Sequence, residues 1–229
     1  MKRLDNMGDL KKAKQVLKTC HKPLKDHLQK TLQTRDFNYV SFGTEIQPYI
    51  SAFLADHFKK QGLINYAIAK DKNQFPDFTL KTSPELAIEY KCGNVVELKD
   101  KKWIKCKNSE NDMGTLNMWE KKLKQFGGDN IYYLFVIYHF DDTIKKIVEV
   151  QIDLFYKFLA LNKDGALRYR EKDGNLRPKD FYADSPITTL EQFEDLRSGT
   201  DVYRSRRIIK KHIKHIPKKD RKKFLKELS

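Results

Sequence analysis

Apolar positions recur among lysines at helical spacing near the start of the chain. Leu10, Ala13, Val16 and Leu17 carry this pattern, which predicts helix over residues 8–34 with a break at Pro23. A second helix is predicted for TEIQPYISAFLADHFKKQ, residues 44–61, with Ile46, Ile50, Phe53, Leu54 and Phe58 as its apolar face. Thr44 suits its N-cap and Gly62 its end. From residue 63 the pattern turns β-like. LINYAIA (63–69), DFTL (77–80) and LAIEYK (86–91) read as short strands, the last two separated by KTSPE, which has turn chemistry. Residues 97–112 are polar and read as loop, and 113–126 read as a helix ending at Gly127-Gly128. IYYLFVIYHF, 131–140, is apolar on both faces, the signature of a central buried strand. IKKIVEVQI follows across a hairpin turn at Asp141-Asp142, then a short helix at 153–160. Residues 162–182 carry two turn signals, Asp164-Gly165 and Asp173-Gly174, and helices near 188–197, 201–215 and 218–228 close the chain. With no internal repeat and no long linker, one α/β domain is the simplest architecture.

Charge sharpens this picture. The 229 residues hold 46 Lys+Arg against 31 Asp+Glu, a net charge of +15. Solubility alone does not require such a surplus, which suggests a polyanionic partner. No apolar run approaches the ~18–20 residues of a membrane helix, and the first residues lack the apolar core of a secretory signal. Cys20, Cys92 and Cys106 are odd in number and have no metal-finger spacing, which fits free thiols in a reducing cytoplasm.

The candidate chemistry lies in FPDFTLKTSPELAIEYKCGN, residues 75–94. Asp77 heads one short strand, and Glu89 and Lys91 lie on the next. Phosphodiester hydrolysis needs a divalent cation to activate water and offset charge on the phosphate. Mg²⁺ takes oxygen ligands, commonly one or two carboxylates with water and substrate phosphate. Asp77 and Glu89 would supply the carboxylates and the Tyr90 carbonyl a third oxygen. Lys91, two residues past Glu89, shares its face of the strand and could orient or deprotonate the water. The plainer alternative is a set of solvated charges on edge strands. Glu97-Leu98-Lys99 and Asp100-Lys101-Lys102 also fit acid-x-Lys, but they lie in a polar stretch, whereas LAIEYK is β-prone.

PDFTL…AIEYK resembles the motif of the PD-(D/E)xK nucleases, and among them it is most similar to the EcoRV-like type II restriction endonucleases. The blocks TEIQPYISAFLADHFKKQG, MGTLNMW (113–119) and RPKDFYADSPITTLEQFEDL (177–196) extend the resemblance in order over about residues 37–215. It implies a mixed five-stranded sheet flanked by helices. It also implies Mg²⁺-dependent cleavage of both strands of duplex DNA to 5′-phosphate and 3′-hydroxyl ends. Glu45 falls near the family's extra helix carboxylate, with a helix-dipole role as the alternative. A single nuclease domain is expected: a basic helical segment (1–36), a catalytic core (37–160), and a recognition loop with basic C-terminal helices (161–229). Cutting both strands of a palindromic site implies a homodimer, and a restriction system implies a cognate DNA methyltransferase as a functional partner. Two other readings remain open: another nuclease of the superfamily, such as a junction resolvase or repair nickase, and a non-catalytic basic DNA-binding protein.

DNA contacts are expected in three places. From Arg204 to Lys226 there are 12 Lys/Arg and one acid. Arg204, Arg206, Arg207, Lys210 and Lys211 cover several helix faces, which suits phosphate contact, with a solvated tail as the alternative. Residues 162–179 contain forked donors and amides: Arg168 and Arg170, with Asn175 suited to adenine and Arg177 to guanine. By the resemblance, Thr115 and Asn117 lie near the minor groove or phosphates; the alternative is a plain helix N-terminus.

Overall fold

The computed structural model describes residues 2–71, 74–97, 103–105 and 111–227. Helices α1 (Lys2–Thr19), α2 (His21–Thr34), α3 (Phe42–Glu45) and α4 (Gln47–Lys60) precede strands β1 (Tyr66–Ile68), β2 (Phe78–Leu80), β3 (Leu86–Glu97) and β4 (Trp103–Lys105). Helix α5 (Leu116–Phe126), strands β5 (Ile131–Phe140) and β6 (Lys145–Leu154), and helices α6 (Leu190–Ile213) and α7 (Lys218–Glu227) follow. The main sheet runs β1-β2-β3-β5-β6, with β4 paired to the far end of β3. Only β3 and β5 are parallel. This is the mixed α/β sheet flanked by helices that the resemblance implied.

All ten residues of β5 are buried, as a run apolar on both faces requires. Its even positions, with Ile88 and Tyr90 of β3, meet α1, α2 and α4 through Leu17, Leu28, Ile50 and Phe58. Its odd positions, with Ala87 and Val95 of β3, meet α5 and α6 through Trp119, Phe126 and Phe193. Glu89 and Lys91 share the parity of Ala87, so they emerge on the α5 side of the sheet.

Four expectations are corrected. The first helical break is at Cys20, not Pro23. Pro23 sits in the first turn of α2, where a missing N–H breaks no intrahelical bond. Thr44 is not an N-cap, since it lies inside α3 and Ser41 and Ile46 precede the two helices. The polar stretch after residue 97 contains a strand, β4, because the long β3 offers it an open edge. Helix α6 runs unbroken through Ser198-Gly199-Thr200. Thr200 is buried there, and its Oγ1 accepts the backbone N–H of Leu167, pinning the helix where its sequence is weakest.

Candidate active site

Strand β2 pairs with β3 only as far as Ile88. Beyond that point the β2-side edge of β3 is open, and Asp77, just before β2, closes it. Its Oδ2 accepts the backbone N–H of Tyr90 at 2.6 Å. On an extended strand the N–H and C=O of one residue point to the same side, so the Tyr90 carbonyl also turns toward Asp77. The Tyr90 hydroxyl lies buried against Ser51 Oγ at 3.1 Å, tying β3 to α4.

Glu89 and Lys91 emerge beside this edge. Lys91 Nζ donates to Glu89 Oε1 at 2.9 Å, with side chains only 20% and 14% exposed. Glu89 Oε2 is buried with no donor in reach. Burial, and then the Glu89 carboxylate, push Asp77 up to about 7, against the Tyr90 N–H and the Lys91 ammonium. Asp77, Glu89 and Lys91 are therefore brought together, as the sequence led us to expect.

Two neighbouring, largely buried carboxyl groups that repel each other are a place for a cation. Asp77, Glu89 and the Tyr90 carbonyl form an all-oxygen set that fits Mg²⁺, with remaining positions left for water and phosphate. Among the described residues no three His, Cys, Asp or Glu side chains converge as a metal-binding group.

The raised Asp77 pKa has a consequence for stability. A group whose folded pKa exceeds its unfolded value stabilises the fold at pH values below the unfolded one. That contribution is lost as pH rises through the folded pKa. In metal-free protein, Asp77→Asn should therefore raise the melting temperature at pH 8 by a few degrees, roughly 1–2 kcal/mol. The gain should vanish near pH 4. Thermal melts in chelator across this range measure it; a destabilised variant at pH 8 would contradict the strain assigned to the pair.

Other expected residues are placed differently. Glu45 faces away from this group, accepting Ser41 Oγ and the Asn38 N–H. Its neighbour Gln47, which carried no sequence signal beyond a polar residue before Pro48, lines a cavity of about 430 Å³ with Asp77, Tyr90 and Ser51. Cys92 is inert, its thiol pushed up to about 12 by burial. Lys99 and Lys101, the competing acid-x-Lys residues, lie outside the described residues.

The segment expected to project as a reading loop is instead folded down. Leu167 and Leu176 are buried in the α5-side core, and Tyr169 pairs with Leu176 and Thr115 with Asn175 in isolated bridges. Arg177 is buried and pairs with Asp112 Oδ1 at 2.5 Å. Arg170 grips Asp173 and Asp112, and Arg168 donates to the Pro178 carbonyl at 3.0 Å. Asn175 is half-buried, and its side chain bonds Asp173. Two leucines in a polar segment suffice to pull it onto the core, and the arginines then satisfy the turns. Arg177→Ala should cost about 2 kcal/mol, the scale of a charged hydrogen bond lost from a buried position. The melting temperature should fall by several degrees, and any DNA affinity should fall equally on all sequences. A stable variant that lost only cognate binding would restore the base-reading role.

Thr115 is the N-cap of α5, and its Oγ1 donates to the exposed Asn117 at 2.7 Å. On α6, Arg206, Lys210 and Lys211 are exposed, and Arg207 pairs with Glu171. Arg204 and Arg207 line a cleft of about 760 Å³ with Lys172 and Lys211.

Lys122 was missed by sequence reading. It is 8% exposed, beneath the rings of Phe75 and Trp119. Burial holds it down to about 8, opposed by the Glu89 carboxylate and reinforced by the Lys91 ammonium. It looked like one more lysine of an amphipathic helix, and only the packing of α5 distinguishes it.

Among the described residues no helix is long and apolar enough to cross a membrane. No family model matches the chain, and no curated protein does. Among solved structures the fold is similar to that of NlaIV restriction endonuclease, with a TM-score of 0.55 at 16% identity, over 74% of this chain and 67% of that one. At that identity the likeness is one of fold: this chain has the architecture of a restriction endonuclease.

Proposed function

We propose that this protein is a Mg²⁺-dependent nuclease of duplex DNA, acting as a homodimeric type II restriction endonuclease of the PD-(D/E)xK kind. The observation that carries the reading is the convergence at the open edge of β3 of Asp77, bonded to the Tyr90 N–H, with Glu89 and its partner Lys91. The restriction-endonuclease architecture supports it, as does the basic arm formed by α6 and α7.

Asp77, Glu89 and the Tyr90 carbonyl would hold the cation. When bound, Mg²⁺ supplies a Lewis acid for the phosphoryl oxygen and acidifies water. Lys91, its ammonium held by Glu89 Oε1, would orient the attacking water and stabilise the hydroxide formed from it, the proton passing to solvent. Attack on phosphorus breaks the bond to the 3′-oxygen, leaving 5′-phosphate and 3′-hydroxyl ends. The exposed cations of α6 hold the DNA backbone without reading sequence. Asn117, exposed at the first turn of α5, remains the candidate for a contact in the groove. Two copies would each cut one strand, and a cognate methyltransferase would protect the host's own sites.

The test is digestion of a phage DNA of known sequence by the purified protein with Mg²⁺, followed by mapping of the ends. Fixed ends bearing 5′-phosphates are expected. Cleavage confined to branched DNA, or single-strand nicks, would favour a resolvase or nickase. Binding with no Mg²⁺-stimulated cutting would leave a non-catalytic DNA-binding protein. Replacing Arg206 and Lys210 by glutamine should weaken binding to cognate and random DNA alike. The log–log salt slope should flatten by roughly one unit per lost phosphate contact. An unchanged slope would remove α6 from the DNA interface.

A further inference from the structure

A buried ammonium needs a reason. Lys122 lies on the face of α5 turned to the sheet, the same side on which β3 presents Glu89 and Lys91. Its Nζ is 3.6 Å from the centre of the Phe75 ring and 4.7 Å from that of Trp119. Phe75 is two residues before Asp77. Trp119 in turn packs on Tyr133, whose ring lies 5.9 Å from Lys91 Nζ. Lys122 and Lys91 thus flank one aromatic cluster, and Glu89 and Lys91 are the charges that act on Lys122.

Among the described residues no carboxylate lies within salt-bridge distance of Lys122 Nζ, so the two rings, with the Glu89 charge further off, offset a burial that is costly for an unpaired charge. The packing keeps space for it. Gly114 has φ +89°, and a Cβ there would stand 3.1 Å from Lys122 Nζ and 3.3 Å from Trp119 Nε1. That indole N–H is itself buried without an acceptor. Two donors therefore converge beside Gly114 with no acceptor between them among the described residues. A phosphate oxygen placed there would accept from both.

Building on the nuclease reading, we propose that Lys122 is a second catalytic lysine, whose ammonium contacts a non-bridging oxygen of the scissile phosphodiester and stabilises the charge that grows there during attack. Lys91 serves the water, and Lys122 serves the phosphate. Held by rings rather than by a carboxylate, the Lys122 ammonium keeps its hydrogen-bonding capacity for the substrate, and no ion pair has to break when DNA arrives.

The experiment compares wild type, Lys122→Met and Lys122→Arg in the full chain, on the DNA that the wild type cuts. Lys122→Met preserves the apolar stem. Its single-turnover rate in Mg²⁺ should fall about 10²–10³-fold, the scale of losing one preorganised donor from a developing negative charge. Affinity for the same DNA in Ca²⁺ should change by less than about threefold, since one contact among many is removed. The melting temperature should stay level or rise, because an unpaired buried charge has gone, and Lys122→Arg should recover part of the rate. A Lys122→Met protein that cuts within threefold of wild type overturns the proposal. So does one whose melting temperature falls sharply with the rate while Lys122→Arg is equally impaired, since that is the mark of a packing residue. A wild-type protein inert on DNA in Mg²⁺ overturns the nuclease reading itself, a result distinct from these two.

Discussion

Replacing Asp77 or Glu89 by alanine is expected to abolish DNA cleavage in Mg²⁺ while leaving duplex binding in Ca²⁺ within a few-fold of wild type. Each side chain provides half of the carboxylate pair that would hold the cation, and each has a second task. Asp77 Oδ2 accepts the Tyr90 N–H across the open edge of β3, so its loss frees the strand just where the Tyr90 carbonyl is needed. Glu89 Oε1 fixes Lys91, so its loss releases the lysine as well as a ligand. Without the cation, both the acidity of the water and the neutralisation of the phosphate are lost together, which is why the effect should be near complete. Binding should survive because the exposed charges of α6 would supply phosphate contacts that these substitutions leave intact. Initial rates and binding isotherms on the same DNA measure both halves. A variant cutting at a near wild-type rate would remove that residue from the site.

Lys91→Ala should lower the single-turnover rate by at least ~10²-fold, the lower scale for a positioned acid–base group. The lysine is half-buried between Glu89 and the Tyr133 ring, which fixes its ammonium where the water is to be oriented. Lys99→Ala and Lys101→Ala should have little effect. If Lys99→Ala proved the inactive variant, the acid-x-Lys of β3 would be the wrong one. Retained melting temperature in Lys91→Ala would show that the lost rate is chemical and not structural.

Much of the central sheet was legible because its cause is local. Nine apolar residues and one histidine, 131–140, can satisfy themselves only between two layers, and they form the buried strand on which the other elements assemble. Asp77, Glu89 and Lys91 could be grouped because period 2 puts Glu89 and Lys91 on one face and a short turn returns DFTL beside LAIEYK. Elsewhere the pattern was ambiguous. The sequence around Gly199 reads as a break, yet a single hydrogen bond from the Leu167 N–H to Thr200 holds the helix through it.

The sequence by itself determined the alternation of elements, the central strand, the basic C-terminal arm and the three charged residues of the candidate site, because each follows from period, composition or spacing along a few residues. Only the tertiary structure decided which polar groups are spent on the fold and which are left for a ligand. Arg177 and Lys122 look alike in the chain, as cations among polar neighbours. Folding gives Arg177 the Asp112 carboxylate as a partner and gives Lys122 two aromatic rings beside a carboxylate pair. The Glu45 carboxylate is drawn to Ser41 in the same way. The partnerships of Arg177 with Asp112 and of Lys122 with Phe75 join residues far apart in sequence, and their energies depend on burial, which a one-dimensional pattern does not contain.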